Sequence, residues 1–472
     1  MRWVDFKESL SEFWSDFRRQ KSGLLGLLLL FLFIFTAVAA PVITSPDIPE
    51  KWQGFWLDNP KNVPPTWVNA FSSEAKASHL AIEGEALQKL LTKTDSGYLV
   101  EVEYNNEYDV PPQDVVIKDL TGDAAGGKPS ITVIVERPDG KKITLIEGYK
   151  FSGSLVLQLG THPEVRANLI EWIKSEGIYI DPLQEFQYRT LMDATKVIFG
   201  QLNENILKNP EPLKGTYKFT ILVNVPEGSS VSFDNTKVIF TGRTYGWLGT
   251  DFKGRDLLAG IIWGSRVSLV IGIAVAVASV LIGIFYGVTS AYLGGWSDEL
   301  MMRFQEFMAS IPSLPILILM GAYFGGHIKL WQIVVLLAIF GWVGIARVAR
   351  SMALQIKEQT YVEAARVLGA GTGRIIFKHM VPQLLPYAFA QMALSVPSAV
   401  LSEASLSYLG LGDPTAVTWG QILHDAQVAG AAVNGYWWWV IPPGLSIALV
   451  GLTFVLIGTA LDRVLNPRLR RL

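Results

Sequence analysis

The chain reads as an α-helical membrane protein with six transmembrane helices and a large β-rich α+β domain inserted between helices 1 and 2. Three observations predict this. Half of the 472 residues are hydrophobic, only 17% are charged and mean hydropathy is +0.31, more apolar than ordinary soluble domains. Apolar runs long enough to cross about 30 Å of hydrocarbon recur along the chain. Between the first two of them, residues 44–255 change to short stretches of alternating polar and apolar residues bounded by turn signals.

Residues 1–21 read as a cytoplasmic segment carrying Arg2, Lys7, Arg18, Arg19 and Lys21. Within it, residues 5–17 read as a helix lying at the membrane surface. The run Ser22 to Ile43 is longer than the apolar core of a signal peptide. It also lacks a clear small-x-small cleavage site, so it is expected to be an uncleaved transmembrane helix 1 over 22–43.

Residues 44–255 form the expected extracellular domain. Residues 44–95 look loop-like with a short helix. From Tyr98 on the pattern is β, and Ile131–Val135 and Ile143–Ile146 flank a turn with Asp139-Gly140, a hairpin signal. Phe219–Val225 and Val238–Phe240 are further strands. Two helices lie between the hairpin and these strands. Pro163–Glu176 places Val165, Leu169, Trp172 and Ile173 at core spacing and ends at Gly177. The second starts at Asp181-Pro182, a cap followed by proline at the first helical position. The expected result is a β-rich sandwich with a helical insertion and no catalytic constellation. His162 stands alone and reads as structural.

Residues 256–472 hold the remaining apolar runs: Val267–Ser290, Phe304–Tyr323, Leu330–Ala346, Leu384–Leu409 and Trp438–Leu461. Pro312 and Pro315 should kink the third span; Pro442 and Pro443 should kink the sixth or delay its start. Gln305 and Glu306 read as a solvated helix start. Arg347, Arg350, Lys357, Arg366, Arg374 and Lys378 share one loop, and Arg468, Arg470 and Arg471 the tail, whereas Leu409–Trp437 has no Lys or Arg. Basic residues stay in the cytoplasm. Both termini and the loop at about 347–383 are therefore expected inside, and Trp437 to Trp439 in the outer aromatic belt.

Tyr361 to Pro386 is too polar for lipid. Glu363, Ala364 and Ala365 sit in a run of strong helix formers, and Gly369 is placed to cap that helix at its C-terminus. Thr372 can cap a second short helix, Arg374 to Met380, closed by Pro382. This stretch resembles the Glu-Ala-Ala coupling loop of binding-protein-dependent ABC importer permeases, through Glu363, Ala364, Ala365, Gly369, Ile376, Leu385 and Pro386. Further motifs follow in the order of the dipeptide/oligopeptide class, C-type subunit. They are Gly249-Thr250-Asp251 with Gly254-Arg255-Asp256 and Gly264-Ser265-Arg266, then Gly294-Gly295-Trp296-Ser297-Asp298-Glu299 with Met302-Arg303, then Glu403 to Gly412, Trp419-Gly420 and Asn466-Pro467-Arg468. Two departures stand out. Val455 to Thr459 replaces the usual Asn-Leu-Leu-Gly-Asp, and the inserted domain is far larger than most members carry.

The resemblance implies a type I ABC importer permease fold in the cell membrane. It also implies a heterodimer with a second homologous permease, two ABC ATPase subunits and an extracellular solute-binding protein. Glu363, Ala364, Ala365, Arg366, Gly369 and Ile376 would couple the chain to an ATPase. No G-x-x-x-x-G-K-[ST] pattern exists, so ATP and Mg are expected in the partner subunits and no cofactor in this chain. Short peptides are the expected cargo, with oligosaccharides the alternative. Glu403, an intramembrane carboxylate, is either a structural partner for a hydroxyl, backbone group or other subunit, or part of the substrate path. The inserted domain either docks the binding protein or braces the two permeases, and docking has the stronger motive.

Other classes fit less well. A net charge of −2 argues against nucleic acid. A membrane-anchored receptor or sensor would need a cytoplasmic signalling domain. A secondary transporter would show internal repeats with ion ligands. An enzyme would need a catalytic set from five histidines and no cysteines.

Overall fold

The computed structural model describes residues 13–465. Arg2 and Lys7, the first part of the expected surface helix over 5–17, and the tail from Asn466 through Arg468, Arg470 and Arg471 lie outside the described residues. Residues 13–18 are helical, and Phe17 packs against Ala460 and Val464. The chain forms two compact units. One combines the residues up to Gly54 with those from Leu258 on; the other is Phe55–Leu257.

Helix α1 (Lys21–Ile43) has a side exposed to the lipid, with Leu28, Phe31, Phe35 and Val38 more than half exposed. Its other side approaches the last helix closely. A Cβ on Gly23 would meet Ala460 at 2.7 Å and one on Gly26 would meet Ile457 at 2.8 Å, the small-residue packing that replaces hydrophobic exclusion in lipid.

The second unit is a two-sheet sandwich built wholly from antiparallel strands. One sheet runs β1 (Leu80–Glu83), β10 (Lys237–Thr241), β4 (Asp114–Asp123), β7 (Gly153–Gln158), with β9 (Ser230–Ser232) also on β4. The other runs β2 (Leu91–Thr94), β3 (Gly97–Asn106), β8 (Gly215–Asn224), β5 (Ser130–Glu136), β6 (Lys142–Lys150). Strands β5, β7 and β8 alternate buried and accessible residues, and the buried faces of both sheets meet in one core with Val102, Ile117, Val133 and Phe240. The β5–β6 hairpin turns at Gly140, whose φ of +78° suits glycine. Short strands β1 and β2 lie inside the stretch that the sequence presents as loop.

Between β7 and β8 lie α2 (Pro163–Ser175), α3 (Pro182–Leu191) and α4 (Ala194–Ile198). The Asp181 side chain accepts the Leu183 N–H at the start of α3, as the Asp-Pro signal predicts. Val165, Leu169 and Ile173 are buried, but Trp172 is only half-buried, its ring under the Arg137 guanidinium at 5.0 Å. Arg137 is itself buried and donates to the carbonyls of Val197 (3.1 Å), Ile198 (3.3 Å) and Gly200 (2.7 Å), closing the end of α4. His162 is half-buried, its ring edge-on to Tyr149.

The membrane unit continues with α5 (Leu257–Leu293), α6 (Gly295–Ser310), α7 (Ser313–Tyr323), α8 (Leu330–Lys357), α9 (Thr360–Val367), α10 (Val381–Tyr408), α11 (Trp419–Val428) and α12 (Trp437–Leu465). Among the described residues, five helices are long and apolar enough to cross a membrane, and there is a sixth span only if α6 and α7 count as one. The expected third span is therefore not a kinked helix. It breaks between Ser310 and Ser313 and turns by 74°, because Pro312 ends one helix and caps the next. Pro442 and Pro443 lie inside α12 and do not delay its start at Trp437. Gln305 is not solvated: it is buried and donates to the Val343 carbonyl at 3.0 Å, while Glu306 pairs with Arg303. Helix α11, within a stretch the sequence presents as a loop, packs on α10 and α12 and buries Trp419, whose indole N–H donates to the Ile261 carbonyl of α5 at 3.0 Å.

Candidate coupling surface and membrane cleft

Helix α8 runs on to Lys357, past the expected end of its span, and carries Arg347 and Arg350 with it. The Arg350 guanidinium forks onto Asp298 at 2.7 and 2.5 Å, and the Ser290 hydroxyl donates to the same carboxylate. Three helices, α5, α6 and α8, are thereby pinned at one end of the bundle. The close approach of α5 to α8 needs Gly287, where a Cβ would lie 2.4 Å from the Ala346 carbonyl.

On this base sits α9. It ends in a Schellman motif: Gly369 N–H bonds the Arg366 carbonyl and Ala370 N–H the Ala365 carbonyl, both at 3.0 Å, with Gly369 at φ +79°. One face of α9 is anchored. Val362 is fully buried with Ile375, Ile376 and Met380, against Val288 and Ala291 of α5, Ala349 and Ala353 of α8 and Leu384 of α10. The other face is open. Glu363, Ala364 and Arg366 are exposed, and Val367 and Leu368 are 81% and 86% exposed at the tip. Arg366 leans over the Tyr292 ring at 5.7 Å. The structure thus splits the predicted residues: Glu363, Ala364, Arg366 and Gly369 face outward, Ala365 is half-buried, and Ile376 belongs to the core behind them. Val367 and Leu368 were missed, although two apolar residues ahead of a glycine cap in a segment too polar for lipid are a legible signal.

The second half of the loop differs from expectation. Gly371, not Thr372, is the capping residue, and its carbonyl accepts the Ile375 N–H at 3.1 Å. Pro382 does not close a separate helix. Residues 372–374 lead through a π-helical stretch, Ile375–Met380, straight into α10, and together they form one 37-residue run. A proline lacks the N–H that would bond four residues back, and a wider turn just ahead of it absorbs that missing bond without stopping the helix.

Deeper in the unit, α5, α8 and α10 surround a cleft of about 350 Å³. Gln391, Ser395, Ser398 and Ser402 line it from α10, recurring at the spacing of one helix face. Ser279 on α5 and the bare backbone of Gly341 and Gly344 on α8 complete the wall. No charged side chain is among the lining residues. Glu403 follows Ser402 but is absent from that lining. It is 1% exposed, and its Oε1 accepts the Ser407 hydroxyl at 2.7 Å. The start of α11 packs here, with Gly420 leaving no room for a Cβ beside Ala404 and Ser407.

Comparison with known proteins places these features. The family model for the binding-protein-dependent transport system inner membrane component matches residues 279–471, and that for the N-terminal membrane domain of oligopeptide transport permease C matches residues 9–65. The oligopeptide transport system permease protein OppC of Bacillus subtilis (strain 168) is 38% identical over 226 residues, 48% of this chain and 72% of that protein. The chain belongs to the inner membrane components of binding-protein-dependent transport systems. A second relative of this permease, OppC of Haemophilus influenzae, is 39% identical over 229 residues, again 48% of this chain and 72% of the relative. A solved structure of the MetNI methionine ABC transporter, in inward-facing conformations, aligns at a TM-score of 0.37 with 21% identity, over 44% of this chain and 96% of that one. Both family matches leave out residues 66–278, and with them nearly all of the sandwich of this permease.

Proposed function

We propose that this permease is one membrane subunit of an ATP-driven importer for short peptides. A second homologous permease, two ATPase subunits that bind ATP and Mg, and an extracellular solute-binding protein complete it. Both termini and α9 face the cytoplasm, in keeping with the basic residues there. The observation that carries this reading is α9 itself: a capped helix fixed to α5, α8 and α10 by Val362 and Ile376, with Val367 and Leu368 presented to a partner. A rigid helix so mounted passes the closure of an ATPase to the spans as a body motion. Peptide cargo rests on the relatives named as oligopeptide and dipeptide permeases. The cleft agrees with it, since serine hydroxyls and a glutamine amide bond peptide backbones without regard to side-chain charge. Oligosaccharides remain the second reading, because the same groups bond sugar hydroxyls.

The test is co-purification followed by assay. ATPase subunits should stay with the chain through purification. ATP hydrolysis by the reconstituted complex should rise when binding protein loaded with a short peptide is added. A chain that purifies without ATPases, or a complex stimulated by an oligosaccharide and not by any peptide, would overturn the respective part.

A further inference from the structure

We propose that the groove between α1 and α5 is a binding seat for an anionic phospholipid, with the lipid phosphate on Arg266 and an acyl chain in the groove below. This stands on the membrane location alone and is independent of the cargo. The groove has a volume of about 620 Å³, the size of a small-molecule site. Ile34, Val38 and Pro41 of α1 form one wall and Leu269, Val270 and Ile273 of α5 the other. Val38 is 74% and Val270 64% exposed, so the protein itself leaves this apolar surface uncovered.

Arg266 stands among these residues as the one charged group lining the groove. It is exposed, lies over the Trp263 ring at 5.7 Å, and has no carboxylate within ion-pairing distance among the described residues. Its depth is set by its neighbour. The Trp263 indole N–H donates to the Thr44 hydroxyl at 2.9 Å, and Thr44 caps the end of α1. Three residues along α5, Arg266 sits about 4.5 Å further in. An unpaired guanidinium at that depth is costly against hydrocarbon but well placed for a headgroup phosphate, which it binds through two parallel N–H bonds. An anionic lipid lacks the choline charge that competes for the same phosphate.

The test uses the purified chain with its partner subunits in nanodiscs, read by native mass spectrometry and by thermal melting after delipidation and titration with phosphatidylglycerol or phosphatidylcholine. The wild-type protein should retain phosphatidylglycerol and melt higher with it than with phosphatidylcholine. Arg266→Gln should retain it roughly tenfold less well, the loss expected for one charged hydrogen-bonded group, while Arg266→Lys should recover part of the preference. Val38→Trp, which fills the groove, should weaken both lipids. Three results would each overturn the proposal: equal stabilisation of the wild type by both lipids, full stabilisation by inorganic phosphate alone, or a photocrosslinker at Val270 captured by a second permease subunit rather than by lipid.

Discussion

At the scale of single residues, three positions carry separable predictions. Gly369 is at φ +79°, which a β-branched residue adopts only at a cost of order 1–3 kcal/mol. Nothing lies within 4 Å of a Cβ there, so the strain is in the backbone alone. Gly369→Val should therefore leave the complex assembled while transport and transport-linked ATP hydrolysis fall together; normal coupled transport would remove α9 from the coupling role. Glu403 accepts from Ser407 in a buried setting. Glu403→Gln keeps an acceptor and should be mild. Glu403→Leu orphans the hydroxyl, at about 1–3 kcal/mol, and should lower the melting temperature; equal behaviour of the two would show the pair to be idle. In the sandwich, burial pushes the Asp114 carboxyl up to about 6, although its Oδ1 accepts the N–H groups of Gly160 at 2.6 Å and Val115 at 2.7 Å. A carboxyl that holds its proton more tightly when folded stabilises the fold below its ordinary range near 4, and that contribution disappears as pH rises through 6. Asp114→Asn keeps the accepting oxygen and has no proton to lose. In thermal melts its advantage over wild type should grow from pH 5 to pH 7.5 by about 1.4 kcal/mol, the part of the shift that lies between pH 5 and the folded value near 6. A difference that is flat with pH would mean that the carboxylate is solvated after all.

At the scale of elements, α10 combines two jobs. Its first part continues the π-helical stretch behind α9 without a break, and its middle lines the cleft with Gln391, Ser395, Ser398 and Ser402. A push on α9 thus has a continuous route to the cleft wall, through Val362, Ile376 and Leu384. Accessibility can be read directly, because the chain has no cysteine to remove. Ser395→Cys and Ser398→Cys should react with water-soluble thiol reagents, and transported substrate should slow the reaction. Phe389→Cys, on an exposed flank outside the cleft lining, should react far more slowly. Uniform labelling of all three would deny the cleft a role as a water-filled path.

At the scale of the whole molecule, the sandwich is an insertion with adjacent ends. Leu80 and Phe240 are cross-strand partners in β1 and β10, so a two- or three-residue Gly/Ser bridge can replace what lies between them. That cut keeps the turn in which buried Arg255 and Asp251 pair. The face of α3 gives docking a physical basis, with Leu183 89% and Phe186 78% exposed. The shortened chain should still assemble with its partners, bind the solute-binding protein more weakly, and lose most of the stimulation of ATP hydrolysis. Unchanged binding would leave the sandwich as a brace.

The sequence by itself determined the membrane class, the positions of most apolar helices, the β character of the insertion and the cap at Gly369. Each follows from local chemistry: run length against bilayer thickness, period-two burial, and a backbone angle that favours glycine. The tertiary structure decided the rest. It showed that Pro312 breaks a span while Pro382, Pro442 and Pro443 do not, because neighbouring turns and packed helices can absorb a missing N–H in one place and not in another. It buried Gln305 and Arg137, polar residues that donate to carbonyls remote in sequence. It also sorted the residues of the Glu-Ala-Ala segment into an anchored face with Ile376 and an open face with Val367 and Leu368. A charge or a hydroxyl has the same letter whether it faces lipid, water or a carbonyl, and only the packing of distant segments assigns it one of them.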